Sequence, residues 1–466
     1  MHHNFGMRSV GYCLSAVALL AVASPTAWAG PADPVNPLTK RFMQGKSLDI
    51  CDQGSFYVGG VPKDTLYANS ATAVGVTQEL IIGQMYVQFQ IPNKHRQWPL
   101  IVVHGSGYSG SCLEATPDGR MGWLPYALQN NLSMFVVDQA GRARSGFDRS
   151  VFHEARVTSN LSLIPTLGGG SSDTIWTSWF GHIIPAGTNI TNGTMIRHGD
   201  PGDPDPSSPE PGPAHGVYPP AYPIPPINSS IDANIQNRVG AIVGPGAAPP
   251  LPINNTYLAL NSYKYLVPNT EVTLPTSFCA TCSPQVVAAA NTWTPRALAE
   301  LVERLGGAIV SGHSQASVEV LHMVRILKEH GKLNLLKGVM FPEGGTDLGA
   351  AGLQASDFDH VPFLVVNGDY RAASFRATNY AAVAAINASP THAAKAEVID
   401  LDDPKFQGKY NGTTHMNMLG TNNLQVFDVM LNWANQNIPN PMADSSCPSG
   451  PPSWVPGPPP GKGPNT

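Results

Sequence analysis

Short apolar segments along the chain predict the strands of a parallel sheet. Residues 100–103 (Leu-Ile-Val-Val) and 134–137 (Met-Phe-Val-Val) contain no polar side chain. Such runs are typical of strands that are buried on both faces, as in the interior of a parallel sheet. Residues 56–60 and 85–91 are also apolar and are bounded by Gly, Pro, Asn or Gln, as strands are.

The same pattern returns after residue 290, where apolar segments alternate with segments of helical period. Predicted strands cover residues 308–310, 338–341, 363–366 and 397–401, and predicted helices cover residues 316–330 and 424–436. Strands that alternate with helices indicate βαβ units. The sequence therefore predicts an α/β fold with a doubly wound, mostly parallel sheet.

The first 29 residues are typical of an export signal. Arg8 supplies a positive charge, an apolar stretch covers residues 10–22, and Ala27-Trp28-Ala29 fits the cleavage rule. The apolar stretch is too short to span a bilayer, so no stable membrane insertion is expected. We expect a secreted or periplasmic protein.

Proline and glycine mark the predicted domain boundaries. Core segments at residues 30–150 and 291–440 flank a cap insertion at 151–290, whose centre at 200–226 is dense in Pro, Gly, Ser and Asp. That composition buries little apolar surface and is typical of a mobile or polyproline-like loop. The tail at residues 441–466 is also rich in proline.

Charge and cysteine content narrow the function classes. The net charge of −5 and the scattered Lys and Arg give no basic patch, so nucleic-acid binding has no support. Cys279 and Cys282 lack a second Cys/His pair at ligand spacing, so a short-loop disulfide is favoured over a zinc half-site. An oxidising compartment favours further disulfides, and Cys51 with Cys112 is the pairing that we predict.

The most informative segment is the Gly-His-Ser-Gln-Ala pentapeptide at residues 312–316. It follows a predicted strand and precedes a predicted helix, which is the context of a nucleophile elbow. Small residues at Gly312 and Ala316 would admit the strained turn that presents the hydroxyl of Ser314. The pentapeptide alone is a weak pattern, and its context makes Ser314 a candidate nucleophile.

A serine nucleophile needs a base and an orienting acid, which in this type of sheet follow it in the order acid, histidine. His415 lies in a polar loop between the last predicted strand and the last helix, so it is the candidate base. Two acids end neighbouring strands, Glu343 after residues 338–341 and Asp369 after residues 363–366. Their positions alone allow either residue to be the orienting acid, and each could instead only form a turn.

The glycine-rich segment 104–110, which follows a predicted strand, is the candidate oxyanion hole. One backbone N–H would come from Ser106 or Gly107, and the second from Gln315. Arg142 and Arg144 follow the next strand, where they could anchor the cap or be surface charges.

Together these segments resemble the α/β-hydrolase superfamily. Residues 54–60 and 116–120 further resemble a group of secreted bacterial esterases. In that group the acid is a glutamate after the sixth strand, so the resemblance implies Glu343 rather than Asp369.

These observations predict an exported serine hydrolase of carboxylic esters that forms an acyl-enzyme and needs neither a metal nor an organic cofactor. Its substrate would be a small-molecule or polymeric ester. The alternatives are a polyester or long-chain lipid depolymerase with the same triad, a hydrolase of amides or lactones, and a non-catalytic binding protein with this fold. The sequence does not indicate the oligomeric state.

Overall fold

The computed structural model describes the two predicted core segments and small parts of the predicted insertion. The described residues are 45–68, 75–116, 119–164, 182–186, 189–196, 265–267, 293–368, 373–410, 413–420, 422–443 and 447. The predicted leader, the proline-rich loop at 200–226, Cys279, Cys282 and Asp369 lie outside them.

An eight-stranded mixed sheet organises the core, in the order β1-β2-β4-β3-β7-β8-β9-β10. Strands β1 and β2 pair antiparallel with each other, β2 pairs antiparallel with β4, and every other pair in this sheet is parallel. Its strands are β1 (Ile50–Ala68), β2 (Gly75–Pro92), β3 (Leu100–Val103), β4 (Met134–Asp138), β7 (Ala308–Gly312), β8 (Leu336–Pro342), β9 (Phe363–Asn367) and β10 (Ala396–Asp400). A separate hairpin consists of β5 (His182–Ala186) and β6 (Asn189–Ile196).

Helices cover both faces of the sheet. They are α1 (Ser111–Glu114), α2 (Trp123–Gln129), α3 (Ser150–Thr158), α4 (Trp293–Arg304), α5 (Ala316–Glu329), α6 (Ala373–Asn387) and α7 (Asn423–Asn437). Ile101 and Val103 pack into the core formed with α4 and α5, whereas Leu100 and Val102 pack into the core formed with α2 and α7. Because successive side chains of a strand point to opposite faces, a wholly apolar strand satisfies both cores.

The chain changes direction along the sheet between β3 and β7. From β3 it passes through α1 and α2 on one face to β4, and from β7 it passes through α5 on the other face to β8. In open α/β sheets, ligands bind in the crevice outside the carboxyl ends of the strands at such a reversal. The loops after β3 and β7 are therefore where a site is expected.

Strands β1 and β2 are much longer than the apolar segments predicted from sequence. Glycines at 59, 60 and 83 resemble strand ends, yet the pairing continues through them, with positive φ at each. At Gly83 a Cβ would lie 2.2 Å from the Trp293 ring, so this glycine lets α4 pack against the hairpin.

The predicted Cys51–Cys112 pairing is wrong. Cys51 forms a disulfide with Cys447, 396 residues away in sequence. Cys112 is a buried thiol on α1, and burial raises its pKa, which keeps it protonated. The bond fastens the C-terminal segment to the beginning of β1, so the tail cysteine rather than a core cysteine completes the pair.

Small parts of the predicted insertion contact the core. On α3, Glu154 accepts a hydrogen bond from Thr65 of β1 at 2.7 Å, and the His153 ring stacks on Tyr67 at 3.8 Å. Val267 donates its N–H to the carbonyl oxygen of Gly107 at 2.8 Å. None of the helices that the structure describes has the length and apolarity needed to cross a membrane.

Candidate active site

Ser314 lies in a sharp turn between β7 and α5. Its φ is +53°, in the left-handed region that residues with a side chain rarely adopt. Close packing maintains this turn, since a Cβ on Gly312 would lie 2.6 Å from the carbonyl oxygen of Ala316. Glycine at 312 therefore lets the helix begin directly over the strand and leaves Ser314 at the carboxyl edge of the sheet.

The structure brings Ser314, His415 and Glu343 together. The imidazole of His415 has its Nε2 2.8 Å from Ser314 Oγ and its Nδ1 2.9 Å from Glu343 Oε2. A carboxylate can only accept, so Nδ1 carries the proton and Nε2 is left to accept from the serine hydroxyl. This arrangement matches the geometry required of a nucleophile, a base and an orienting acid.

Glu343 follows β8 and is almost fully buried, at 1% exposure. Its φ is +55°, a second left-handed position at the edge of the same sheet. Its second carboxylate oxygen, Oε1, accepts a short hydrogen bond from the N–H of Gly368, which follows β9. A Cβ on Gly368 would lie 2.9 Å from Glu343 Oε1 and 2.8 Å from the carbonyl oxygen of Thr413, so only glycine fits between the acid and the histidine loop.

Two polar side chains of α6 hold the loops around the acid. Arg376 donates to the carbonyl oxygen of Gly368 at 2.8 Å and pairs with Asp402 at 2.8 Å and 3.0 Å. Asn379 is fully buried and donates to the carbonyl oxygen of Gly344 at 2.9 Å. Both contacts are made to backbone, so they fix the loop path on either side of the carboxylate.

The loop after β3 lies directly against the turn at Ser314. A Cβ on Gly105 would be 2.6 Å from the ring of His313 and 3.0 Å from the Cβ of Ser314. Ser106 is exposed and Gly107 is buried with a φ of +70°. Among the described residues, none accepts a hydrogen bond from the backbone N–H of Ser106 or Gln315.

His313 and Arg142 connect these loops. His313 Nε2 donates to the carbonyl oxygen of His415 at 2.7 Å. Arg142 is 1% exposed, so the surface-charge interpretation is wrong for this residue. Its guanidinium donates to the carbonyl oxygen of Gly105 at 3.1 Å and to Oε1 of Gln315 at 2.9 Å.

A group of titratable side chains lies behind the loop that follows β3. Asp138 accepts from the N–H of Gly110 at 2.6 Å and pairs with Arg144 at 2.7 Å. Burial, with a smaller effect of the Arg142 charge, lowers the pKa of His104 to about 4. His104 is therefore neutral at pH 7, and its Nε2 accepts from the N–H of Gln139 at 3.1 Å.

Sequence reasoning did not find His313, Arg142, Arg376 or Asn379 as parts of this site. Only Arg142 carried a signal, as a cation in a loop after a buried strand. No group of three or more His, Cys, Asp or Glu side chains in the described part of the chain is arranged to hold a metal ion.

Comparison with solved structures identifies the fold. A structure described as that of a novel bacterial esterase aligns with a TM-score of 0.60 and 23% sequence identity, covering 85% of this chain and 98% of that one. The chain has an α/β-hydrolase fold. The esterase Est22 aligns with a TM-score of only 0.30 at 10% identity, over 81% of this chain and 79% of its own.

Sequence comparison adds one curated relative of this α/β-hydrolase-fold chain. It is a probable secreted lipase, phiG, from Fungal sp. (strain ATCC 74256), 32% identical over 93 residues. The match spans 20% of this chain and 25% of the relative. No protein-family model matches the chain.

Proposed function

We propose that this protein is a serine hydrolase of carboxylic esters, with Ser314 as nucleophile, His415 as base and Glu343 as orienting acid. The observation that carries the proposal is the imidazole of His415, hydrogen-bonded on one side to a serine hydroxyl and on the other to a buried carboxylate. The strained turn at Ser314 supports it, because strain of this kind is concentrated at functional sites.

The reaction follows from the positions of the hydrogens. Ser314 Oγ attacks the acyl carbon while its proton passes to His415 Nε2, and the imidazolium then gives that proton to the leaving alcohol. Water attacks the resulting acyl-enzyme with His415 again as base, which releases the acid and restores the serine. The N–H groups of Ser106 and Gln315 stabilise the oxyanion in both steps.

Labelling with a fluorophosphonate tests the nucleophile directly. The folded wild-type protein should form one covalent adduct, and mass spectrometry of the digest should place it on Ser314. The Ser314→Ala variant should form none, while Ser356→Ala, which changes an exposed serine far from the elbow, should label like the wild type. If the folded wild-type protein forms no adduct, the proposal of a serine hydrolase fails.

The proposed substrate is an ester. The names of the similar proteins, an esterase and a probable lipase, do not fix the length of its acyl chain. The 93-residue likeness to a probable secreted lipase favours testing long acyl chains and polyesters beside short esters. Hydrolysis of p-nitrophenyl butyrate above that of p-nitrophenyl palmitate and of a polyester film would support a small-molecule esterase. The reverse order would support a lipase or depolymerase with the same three residues. Turnover of lactones alone would restrict the activity to cyclic esters, and turnover of amides alone would contradict ester hydrolysis.

We also propose that the protein acts outside the cytoplasm. The Cys51–Cys447 disulfide supports this, because disulfides persist in oxidising compartments. The leader predicted at residues 1–29 agrees with it. Fractionation of the producing cells should recover the protein without this leader from the periplasm or the medium, and its retention in the cytoplasm with the leader intact would contradict export.

A further inference from the structure

The peptide unit that joins Gly105 to Ser106 is held from one side. Its carbonyl oxygen accepts from His104 Nδ1 at 2.8 Å and from Arg142 Nη1 at 3.1 Å. In a planar trans peptide the C=O and the following N–H point in opposite directions. Whatever fixes the oxygen of Gly105 therefore also fixes the direction of the Ser106 N–H, which is the first proposed oxyanion donor.

The same guanidinium reaches the second donor. Arg142 Nη2 donates to Oε1 of the Gln315 side chain at 2.9 Å, and Gln315 Nε2 in turn donates to Glu319 Oε1 at 2.9 Å. Gln315 follows the nucleophile and supplies the other backbone N–H. Its side chain is thus held between a buried arginine and a buried glutamate, which restrains the residue whose N–H faces the oxyanion.

The chemistry of arginine suits this position. A planar guanidinium presents several N–H donors in a rigid fork, so one side chain can hold two acceptors at a fixed separation. Arg142 is almost fully buried. In a poorly solvated interior, a hydrogen bond from a cation to the carbonyl oxygen also polarises the peptide, which makes the N–H of Ser106 a stronger donor.

We infer that Arg142 is a positioning residue for the oxyanion hole, which orients the Ser106 peptide and the Gln315 backbone together. The inference rests on the proposed hydrolysis at Ser314. It assigns Arg142 no contact with the substrate. Losing the guanidinium should weaken stabilisation of the transition state and leave substrate binding in the ground state nearly unchanged.

The test compares Arg142→Met and Arg142→Lys with Arg96→Met. Arg96 also donates to a backbone carbonyl, that of Asn440 at 3.0 Å, but at the amino end of β3, away from Ser314. Three quantities are measured for each protein: kcat, KM for p-nitrophenyl butyrate (or for whichever ester the wild type prefers), and the Ki of a trifluoromethyl ketone. That ketone forms a tetrahedral oxyanion on serine and so reports on the hole directly.

Removing one oxyanion donor from a serine hydrolase costs roughly 100- to 1,000-fold in kcat, and misorienting a donor should cost less. Arg142→Met should lower kcat about 10- to 100-fold, raise Ki by a similar factor and change KM less than about 3-fold. The kcat and Ki of Arg142→Lys should fall between those of the wild type and those of Arg142→Met, since an ammonium group reaches one acceptor but not both. Arg96→Met should match the wild type in all three quantities.

Three results would overturn the inference. They are a folded Arg142→Met with wild-type kcat and Ki, a loss confined to KM, and a fall in melting temperature with the ketone still bound at wild-type affinity. If Arg142→Met does not fold, Arg142→Lys decides by the same criteria. Failure of the proposed function is distinguishable, because the wild-type protein itself would then neither hydrolyse the ester nor bind the ketone, and the inference would fall with it.

Discussion

Two sets of glycines, one at each edge of the central sheet, serve opposite purposes. At the carboxyl edge, Gly105, Gly312 and Gly368 have no room for a Cβ, which would meet neighbouring atoms at 2.6 to 2.8 Å. At the amino edge, Gly306 and Gly331 have φ values of +69° and +67°, and a Cβ there would meet nothing within 4 Å. The first group permits close approach, whereas the second permits only a turn.

The crowded glycines lie close to Ser314 and Glu343, whereas Gly306 and Gly331 lie in turns that connect a helix to the next strand. At the carboxyl edge, Ser314 and Glu343 carry side chains and have positive φ. The amino edge has a cleft of about 710 Å³ lined by residues such as Trp98, Lys337 and Pro362, with the Lys337 ammonium 4.3 Å from the Trp98 ring centre. Two of the three proposed catalytic residues therefore have strained backbone at the carboxyl edge.

Replacing the proposed nucleophile should have the largest effect. Ser314→Ala should lower kcat by about 10⁴-fold or more, because loss of a serine nucleophile in a triad has effects of that order. The matched control is Ser356→Ala, at the cleft on the amino edge, which should hydrolyse the test ester at the wild-type rate. Equal rates for both variants would mean that the carboxyl edge is not where the reaction occurs.

The acid should give the next largest effect. Glu343→Gln should lower kcat/KM roughly 10²- to 10⁴-fold, since an amide can hold His415 in the wrong tautomer and cannot stabilise the imidazolium. Asp369→Asn should change kcat/KM less than about 5-fold, because the Glu343 carboxylate lies 2.9 Å from the imidazole. A large loss in Asp369→Asn alone would assign the role to the aspartate.

The two kinds of glycine can be tested against each other. In Gly368→Ala the new Cβ would press on the Glu343 carboxylate and on the histidine loop, so kcat should fall about 10-fold or more and stability by about 1–3 kcal/mol. Gly331→Ala should cost about 1 kcal/mol of stability through its left-handed backbone and leave kcat unchanged. Equal activity in the two variants, measured beside urea unfolding curves, would remove the distinction between the edges.

Much of the sheet could be predicted because its strands are locally distinctive. The segment at 100–103 is wholly apolar and therefore indicated a strand buried on both faces, and the structure places it as β3 between β4 and β7. The length of β1 and β2 could not be predicted, because Gly83 indicates a turn until Trp293 is known to pack against it. The partner of Cys51 lies 396 residues away, so no local pattern could reveal it.

The candidate site also contains residues that could be predicted from the sequence and residues that could not. Ser314 and His415 lie in segments whose context points to them, and the structure brings them within hydrogen-bonding distance. The choice between Glu343 and Asp369 could not be made from position, because both follow strands at one edge. The contacts of Gly368 and Arg142 depend on loops that meet only in the folded chain, so neither could be inferred from spacing.

The smallest expected effect concerns His104, the buried histidine of the carboxyl edge. Its pKa is about 4 in the folded protein and about 6.5 when unfolded. The unfolded chain therefore binds more protons between these values, so the contribution of His104 to stability is complete above pH 6.5 and is lost as the pH falls toward 4. Between pH 7.5 and pH 5 this group alone should lower the free energy of unfolding by about 2 kcal/mol.

His104→Gln should remove that share of the pH dependence whatever it does to stability at pH 7.5. Urea unfolding of both proteins at several pH values measures it, and His322, whose pKa burial also lowers to about 4, contributes equally to each and cancels. The free energy of unfolding of the wild type minus that of the variant should fall by about 2 kcal/mol between pH 7.5 and pH 5. Parallel curves would mean that the pKa of His104 is nearly the same in the folded and unfolded states, and that the interior behind the loop at Gly105 is more hydrated than its burial indicates.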